Sequence, residues 1–310
     1  MKILVCPLNW GLGHATRCVP LIRKLLSEGH EPVIVADGYP LKFLQIEFPT
    51  LRFIELPSYK IYYAAGKSQI GAMIYNLPQI IRGIVNEHNW LHNFLKTEHF
   101  DQVISDNRFG MWSKRVHSIY ITHQLMVKMP FSLKFLEALV HRIHLGFINR
   151  YDECWIPDEI ENGGYSGDLS HKYPIPQNAR FIGILSRFNN LENIIPNETY
   201  DQVCVVSGVE PQRTIFENLL IEKYKHRTTK TLILSGKPQK QIKRIEYGNV
   251  QVISHLPNSE MAAVFLGSKK IICRSGYSTI MDLASLRCVR KADFIPTPGQ
   301  TEQEYLATLY

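Results

Sequence analysis

The sequence has no long apolar run, and this absence excludes several classes of protein. Its longest apolar stretches have only the length of a β-strand, so no membrane-spanning helix is expected. The N-terminus carries one lysine and then a strand pattern that Pro7 ends, and it lacks the apolar core of a signal peptide. We therefore predict a cytoplasmic protein.

Clustered cysteines and concentrated positive charge are also lacking. The six cysteines are scattered, and no pair of them has the spacing of zinc ligands, so we predict buried, reduced thiols. The net charge of +7 suits an anionic partner, but there is neither a basic tail nor an arginine-rich helix. We therefore expect no nucleic-acid partner. A phosphorylated substrate or an acidic lipid surface is one explanation of the charge, and a generally basic surface without a specific partner is the alternative.

Apolar strands and amphipathic helices alternate along the chain, which predicts α/β architecture with parallel sheets. A polar, asparagine-rich stretch at 186–199 predicts a linker between two doubly wound domains, 1–186 and 187–310. Predicted strands cover 2–6, 32–38, 52–56, 101–105, 118–122, 153–156 and 180–184, then 202–206, 231–234, 250–253, 270–274 and 294–295. Because the sequence stops at its last predicted helix (300–310), we expect a truncated second domain without an outer layer.

A strand, a turn with two glycines and a helix open the chain. Gly11 and Gly13 form the turn, and His14 and Arg17 lie on the first turn of the helix. Helix N-termini favour anions, and open α/β sheets bind their ligands at the carboxyl ends of the strands. The pattern therefore predicts a polar binding site at this turn.

The same turn also resembles a dinucleotide-binding fingerprint. Asp37 lies at the end of the second strand, where such proteins place a ribose-binding acid. Thr16, however, occupies the position of the third glycine and would hinder close packing of helix on strand. An oxidoreductase that binds NAD or NADP is therefore a less favoured alternative.

His14 is the leading candidate for a general base. A helix N-terminus disfavours the imidazolium cation and so lowers the pKa of histidine, and a neutral imidazole can accept a proton from a hydroxyl. A helix cap or an anion donor is the alternative role for His14. His123, which follows a later strand, is the second candidate base. Further residues near strand ends form the predicted acceptor site: Gly11, Gly13, Arg17, Asp106, Asn107, Arg108 and Gln124. An Asx turn with a salt bridge is the alternative interpretation of residues 106–108.

The strongest pattern of the second half is at 273–282, where a strand, a Ser-Gly turn and a hydroxyl-rich helix start predict a phosphate cradle. Ser207 and Gly208 form a similar turn, and the loop that begins the last helix carries amides and acids suited to sugar hydroxyls. Ordinary helix starts with surface acids are the alternative interpretation. The predicted donor site comprises Ser207, Gly208, Arg274, Ser275, Gly276, Ser278, Thr279, Asp282, Gln300, Gln303 and Glu304.

Four of these motifs, in this order and spacing, resemble MurG and related bacterial glycosyltransferases (family 28-like) of the GT-B fold. They are Gly11-x-Gly13-His14, Ser207-Gly208, Cys273-Arg274-Ser275-Gly276 and Gln300-x-x-Gln303-Glu304. The resemblance implies two Rossmann-like domains facing a cleft, with an acceptor in the first domain. In the second it implies a nucleotide-sugar donor, usually UDP-linked, such as UDP-GlcNAc.

The resemblance also implies a mechanism: inversion at the anomeric carbon without a metal or other cofactor. It assigns His14 as the base, Thr279 to the phosphates and Asp282 to the ribose. It assigns Gln303 and Glu304 to the donor sugar, although Glu304 replaces an amide of MurG.

Two acceptor-side motifs depart from MurG. Ser105-Asp106-Asn107-Arg108 stands in place of a second glycine-rich loop, and His123-Gln124-Leu125 in place of His-Glu-Gln-Asn. We therefore expect a cell-envelope glycan or glycolipid acceptor other than that of lipid II synthesis. A long helix predicted over 68–96 has an isoleucine-rich face and basic residues, and we expect it to pack on the first sheet. Peripheral contact with the inner face of an anionic membrane is the alternative. A catalytically idle nucleotide-sugar-binding protein is the alternative function.

Overall fold

The described strands form two sheets, one from each half of the chain. In a computed structural model the described residues are 1–58, 70–189, 191–239 and 241–310. The strands of the first sheet are β1 (Lys2–Pro7), β2 (Glu31–Ala36), β3 (Arg52–Glu55), β4 (Gln102–Asp106), β5 (His117–Ile121), β6 (Glu153–Ile156) and β7 (Ala179–Phe181). Their spatial order is β3-β2-β1-β4-β5-β6-β7, and all their pairings are parallel.

The second sheet is parallel except at one edge. Its strands are β8 (Gln202–Val205), β9 (Thr231–Leu234), β10 (Arg244–Tyr247), β11 (Val250–Ile253), β12 (Lys270–Cys273) and β13 (Ala292–Phe294). They lie in the order β10-β11-β9-β8-β12-β13, and β10 runs antiparallel to β11. Every residue of the central strands β8 and β9 is buried, because helices cover both faces of the sheet.

Helices connect most of the successive strands in both halves. Those of the first half are α1 (Leu12–Ser27), α2 (Gly38–Glu47), α3 (Ile70–Thr97), α4 (Glu137–Ile148) and α5 (Asp168–His171). Those of the second half are α6 (Gln212–Tyr224), α7 (Asn258–Gly267), α8 (Tyr277–Ser285) and α9 (Thr301–Leu306). Val19 and Ile22 of α1 pack in one buried cluster with Val5 and Ile34 of the first sheet. This packing anchors the start of α1 against the end of β1.

The predicted α/β architecture with two sheets is confirmed, with local differences. The sequence also predicts a helix over 132–149, and this segment begins as a 3-10 helix (Phe131–Leu136) before α4. Strand β10 was not predicted, because its four residues are all exposed and it offers no apolar run. The sequence also predicts a loop over 58–67, which lies, apart from its first residue, outside the described residues.

The two halves touch at several points. The predicted boundary between residues 186 and 187 falls in the segment that joins β7 to β8. Leu306 of α9 packs with Leu169 of the first half, and the hydroxyl of Tyr305 accepts a hydrogen bond from the Asp168 amide at 2.7 Å. The last described helix therefore rests on the first half of the chain.

Two predicted features of the whole chain can be compared with the structure. All six cysteines are buried and unpaired, as predicted. Within the described ranges, no helix combines the length and the apolar character that crossing a membrane requires.

Candidate functional site

Loops at the carboxyl ends of strands from the two halves meet at glycine turns. Gly11, between β1 and α1, has φ +99°, and Gly208, after β8, has φ +104°. A Cβ atom on Gly11 would lie 3.8 Å from the Cα atom of Gly208. A side chain at either position would strain the backbone, so glycine allows these turns to face each other.

The N-terminus of α8 approaches the same turn of the first half. Ser278 Oγ donates a hydrogen bond to the Gly13 carbonyl at 3.0 Å. A Cβ atom on Gly13 would lie only 2.8 Å from Ser278 Oγ. The first amides of a helix have no partner within the helix and attract anions. The predicted phosphate cradle and the predicted acceptor turn are therefore in direct contact where the two halves meet. We call this junction, around Gly11, Gly13, Gly208 and Ser278, the cleft.

A histidine, a carboxylate and an arginine form a hydrogen-bonded group beside the turn at Gly11 and Gly13. Asp106 ends β4, which pairs with β1, so its side chain emerges beside the glycine turn. His14 Nδ1 lies 3.0 Å from Asp106 Oδ1. Arg17 Nε donates to Asp106 Oδ2 at 2.6 Å, and its Nη2 donates to Oδ1. The three-residue spacing along α1 brings both His14 and Arg17 to the same carboxylate.

The electrostatics of this group favour a neutral imidazole beside an ionised carboxylate. Burial opposes charge on Asp106, but Arg17 and His14 hold the pKa of that carboxyl well below its usual range. Burial lowers the pKa of His14, and Arg17 adds to the effect while Asp106 opposes it. We assign the Nδ1 proton of His14 to the bond with Asp106, because a carboxylate only accepts. This assignment leaves the lone pair of Nε2 available as a base.

His123 lies next to this group, but both of its ring nitrogens are engaged. Nδ1 lies 3.0 Å from Arg17 Nη1, and Nε2 lies 2.9 Å from Glu302 Oε1. Its ring stacks on Tyr277, with centroids 4.3 Å apart and planes within 3°. Both ring nitrogens of His123 are therefore hydrogen-bonded, and its role as a second base stays a prediction.

Three further predicted acceptor residues have partners within the chain. Arg108 is fully buried and its Nε donates to Glu87 Oε1 at 2.8 Å, so this guanidinium is directed into the first half and away from the cleft. Asn107, with φ +57°, accepts a hydrogen bond from the Tyr120 hydroxyl at 3.1 Å. Gln124 lies beside Glu302 and helps to lower the pKa of that acid. Of these three, only Arg108 is displaced from the predicted site.

The predicted donor residues surround the start of α8, and several side chains are already engaged. Ser275 Oγ donates to the Gln303 carbonyl at 2.7 Å. Arg274 packs over the Phe216 ring and donates to the Pro296 carbonyl at 2.7 Å. Arg274 is thus a structural contact of the second half, whereas Gly276, Ser278 and Thr279 supply the start of α8.

Asp282, predicted to bind ribose, is buried among partners from the segment between the sheets. Its Oδ1 accepts from Ser186 Oγ at 2.7 Å and its Oδ2 from Arg187 Nε at 3.0 Å. Burial raises the pKa of Asp282 even though Arg187 opposes this. Asp37, the acid of the dinucleotide alternative, accepts from both the amide and the hydroxyl of Ser58 at 3.0 Å. Neither carboxylate is free for a ribose in this conformation.

The amides and the acid predicted to bind the donor sugar organise the turn before α9. Gln303 Oε1 accepts from the Thr297 amide at 2.9 Å, and its Nε2 donates to Gln300 Oε1 at 2.6 Å. Glu304 Oε1 accepts from the Gly299 amide at 2.8 Å. These contacts shape the loop that borders the cleft next to Ser275.

An apolar cluster lies beside the histidine on the first-half wall. Trp10, Phe109 and Phe147 are partly buried and pack against Leu8 and Ile84. Trp10 precedes His14 on the glycine turn, and Phe109 follows Asp106 on the next strand end. Segments that neighbour the candidate base and its carboxylate in sequence therefore contribute to an apolar, aromatic cluster. Across the described parts of the chain, no group of three or more histidine, cysteine, aspartate or glutamate side chains is placed to hold a metal ion.

Sequence reasoning missed Glu302 and Tyr277 as site residues. Both lie inside motifs that it selected, Tyr277 between Gly276 and Ser278 and Glu302 between Gln300 and Gln303. The signal was therefore present, but spacing alone does not show which residue of a helix start points across a cleft.

Compared by sequence, the chain matches neither a protein-family model nor a curated protein. Compared by structure, it is similar to the glycosyltransferase of kitacinnamycin, with a TM-score of 0.63 and 14% identity over 99% of this chain and 84% of that chain. CalG4, the calicheamicin glycosyltransferase, gives a TM-score of 0.60 and 11% identity over 99% of this chain and 83% of that chain. Spinosyn rhamnosyltransferase SpnG, complexed with thymidine diphosphate, gives a TM-score of 0.55 and 13% identity over 100% of this chain and 84% of that chain. The chain has the GT-B fold, with two Rossmann-like domains.

Proposed function

We propose that the chain is an inverting, metal-independent glycosyltransferase that moves a sugar from a nucleotide-sugar donor to an acceptor hydroxyl. The observation that carries this proposal is the pair of His14 and Asp106 in a cleft bordered by the start of α8. A base, an orienting carboxylate and an anion-binding helix start are the groups that such a transfer needs. The fold shared with solved glycosyltransferases supports this reaction class.

In the proposed reaction, His14 Nε2 accepts the proton of the acceptor hydroxyl while Asp106 holds the ring through Nδ1. The acceptor oxygen forms a bond to the anomeric carbon as the bond from that carbon to the diphosphate oxygen breaks. The nucleoside diphosphate departs with the electron pair of that bond. Amides at Gly276 to Thr279, and the turn at Gly208, stabilise its charge.

For the donor we propose a UDP-sugar, with UDP-GlcNAc as the first candidate. The basis for UDP is the resemblance of the second-half motifs to MurG-like transferases; the structurally similar SpnG, solved with thymidine diphosphate, supports only a nucleoside diphosphate in general. Because Asp282 is engaged by Ser186 and Arg187, we propose no ribose contact for it. The nucleotide would instead be held chiefly through its phosphates.

For the acceptor we propose a glycolipid of the cell envelope, whose apolar part lies on Trp10, Phe109 and Phe147. Two helices that contribute to this apolar cluster also carry exposed apolar side chains at intervals of four residues. These are Leu77, Ile81 and Val85 on α3, and Phe131, Phe135, Leu139 and Ile143 on α4 and the 3-10 helix before it. Phe131 is 96% exposed and Phe135 is 76% exposed. Arg82, Lys134 and Arg142 are exposed on the same helices and suit anionic headgroups.

A donor screen tests the function. UDP-sugars are incubated with the protein and a lipid extract, and the release of UDP is measured. Transfer is expected with at least one donor. Calorimetry with UDP separates the outcomes: binding without turnover supports the idle nucleotide-sugar-binding alternative, and absence of binding contradicts both. NADH binding seen by fluorescence would support the oxidoreductase instead.

Vesicle flotation tests the membrane part of the proposal. The wild-type protein is expected to float with phosphatidylglycerol vesicles at low salt. Changing Phe131 and Phe135 together to glutamate should weaken binding by more than about tenfold, since each phenylalanine contributes ~1.5–3 kcal/mol when buried in an apolar phase. Leu219→Glu is the control, because Leu219 is 61% exposed on α6 of the other half. Equal loss in both variants would contradict a specific docking face.

A further inference from the structure

We propose that Glu302 is a positioning residue that orients His14 from the opposite side of the cleft, through His123, Arg17 and Asp106. The proposal rests on the proposed function in that His14 is taken as the base. Glu302 does not contact His14, and it belongs to the half of the chain that lies across the cleft.

An unbroken series of polar contacts joins the two residues. Glu302 Oε1 lies 2.9 Å from His123 Nε2, and His123 Nδ1 lies 3.0 Å from Arg17 Nη1. Arg17 Nε lies 2.6 Å from Asp106 Oδ2, and Asp106 Oδ1 lies 3.0 Å from His14 Nδ1. His123, Arg17 and Asp106 are each less than 10% exposed, so water does not compete strongly for these bonds.

The chemistry of each group fixes the direction of these bonds. A guanidinium only donates, so His123 Nδ1 must accept from Arg17 and the ring proton must lie on Nε2. A carboxylate only accepts, so Glu302 is the matching partner for that proton. The pKa of Glu302 is lowered by its bonds with His123 and Gln124 in spite of burial, which keeps it an acceptor.

The orientation of Arg17 decides which nitrogen of His14 carries its proton. Arg17 Nη2 also lies 3.0 Å from His14 Nδ1. A guanidinium that turned toward this nitrogen would donate to it, and the ring proton would then move to Nε2, which would no longer act as a base. Because His123 accepts from Nη1, the planar guanidinium is held with Nε and Nη2 on Asp106. Stacking on Tyr277 keeps the His123 ring in place.

Three variants of neighbouring residues test the inference. Glu302→Ala removes the acceptor, Glu302→Gln keeps an amide oxygen in its place, and Thr301→Val serves as the control. Thr301 Oγ also reaches across to the first half, donating to the Lys128 carbonyl at 2.6 Å, but it has no link to His14. Comparison of the three variants therefore distinguishes the effect of breaking the series of polar contacts from the effect of losing a contact between the two halves.

Two measurements are made on each variant. Proton–nitrogen correlation spectra of protein labelled with ¹⁵N-histidine report the tautomers of His14 and His123 without substrate. The signals of His14 are assigned by their loss in a variant that lacks this histidine. Nucleotide release reports kcat and the KM for the donor. The spectra require no catalytic activity, so they test the inference even if the proposed function is wrong.

The wild type should show His123 protonated at Nε2 and His14 protonated at Nδ1. Glu302→Ala should mix the tautomers of both histidines and lower kcat about tenfold, the scale of one charge-assisted hydrogen bond, with KM for the donor changed less than about twofold. Glu302→Gln should recover the tautomers and most of kcat, and Thr301→Val should leave both unchanged. Wild-type tautomers at His14 in Glu302→Ala would overturn the inference. So would equal effects of Glu302→Ala and Thr301→Val.

Discussion

His14→Asn is the sharpest perturbation of the proposed base. The asparagine side-chain amide can donate to Asp106 as the Nδ1–H of histidine does, but it has no basic nitrogen to replace Nε2. His14 contributes a hydrogen bond of 3.0 Å and its side chain is 14% exposed, so the change removes the base and preserves the bond that holds the carboxylate. We expect stability to change by less than about 1 kcal/mol, the net value of one hydrogen bond.

The expected loss in rate follows from the role of the group. A positioned general base contributes about 10²–10⁴-fold, which corresponds to ~3–5 kcal/mol at about 1.4 kcal/mol per factor of ten. The loss should be in kcat, because His14 is not placed to hold the nucleotide. Burial and Arg17 lower the pKa of His14, so the wild-type rate should fall only well below neutral pH, and this acid limb should be absent from the variant.

The assay combines nucleotide release over a range of pH with calorimetry of UDP binding and urea unfolding. Lower kcat with unchanged UDP affinity and unchanged unfolding would agree with the reasoning. If His14→Asn kept a kcat within about tenfold of the wild type while binding UDP normally, His14 would not be the base.

Two further predictions concern buried titratable side chains. Asp106→Asn should lower kcat by at least about 10²-fold and should destabilise the fold by ~3–5 kcal/mol, because it leaves the buried Arg17 guanidinium without its counter-charge; stability is read from urea unfolding. Loss of the carboxylate, which raises the pKa of His14, should also move the acid limb of the rate profile to lower pH. Burial lowers the pKa of His144 from 6.5 to about 4. The unfolded chain therefore takes up the proton first, and stability is present above pH ~6.5 and lost as pH falls. Between pH 7 and pH 5 this loss should be about 2 kcal/mol, and His144→Gln should remove it from urea titrations at the two pH values.

The elements nearest to the cleft could be predicted because their signals are local. An apolar strand, a glycine turn and a helix start occupy consecutive residues around Gly11 and around Gly276, and no distant partner is needed to recognise them. The repetition of this unit in both halves predicts two similar sheets, and the resemblance to MurG-like transferases implies the GT-B fold. Strand β10 was missed because it is exposed throughout, so no hydrophobic pattern marks it.

The pairings across the site could not be predicted, since they join residues that are far apart in sequence. Asp106 was selected for acceptor binding, but β4 places it against His14, 92 residues away. Arg108 follows the same strand end, and only the position of Glu87 on α3 shows that its guanidinium is directed into the first half. A sequence pattern identifies the end of a strand, whereas the turn that follows decides where each side chain points.

The six buried thiols provide a way to observe the protein opening. Cys6, Cys18 and Cys154 lie in the first half, and Cys204, Cys273 and Cys288 in the second. Burial raises the pKa of Cys6, Cys154 and Cys204 to about 12, so these groups are both inaccessible and protonated in the native state. Reaction with an alkylating reagent therefore requires each half to unfold locally. Mass spectrometry of peptides from each half would show which half exchanges first, and whether UDP slows only the second.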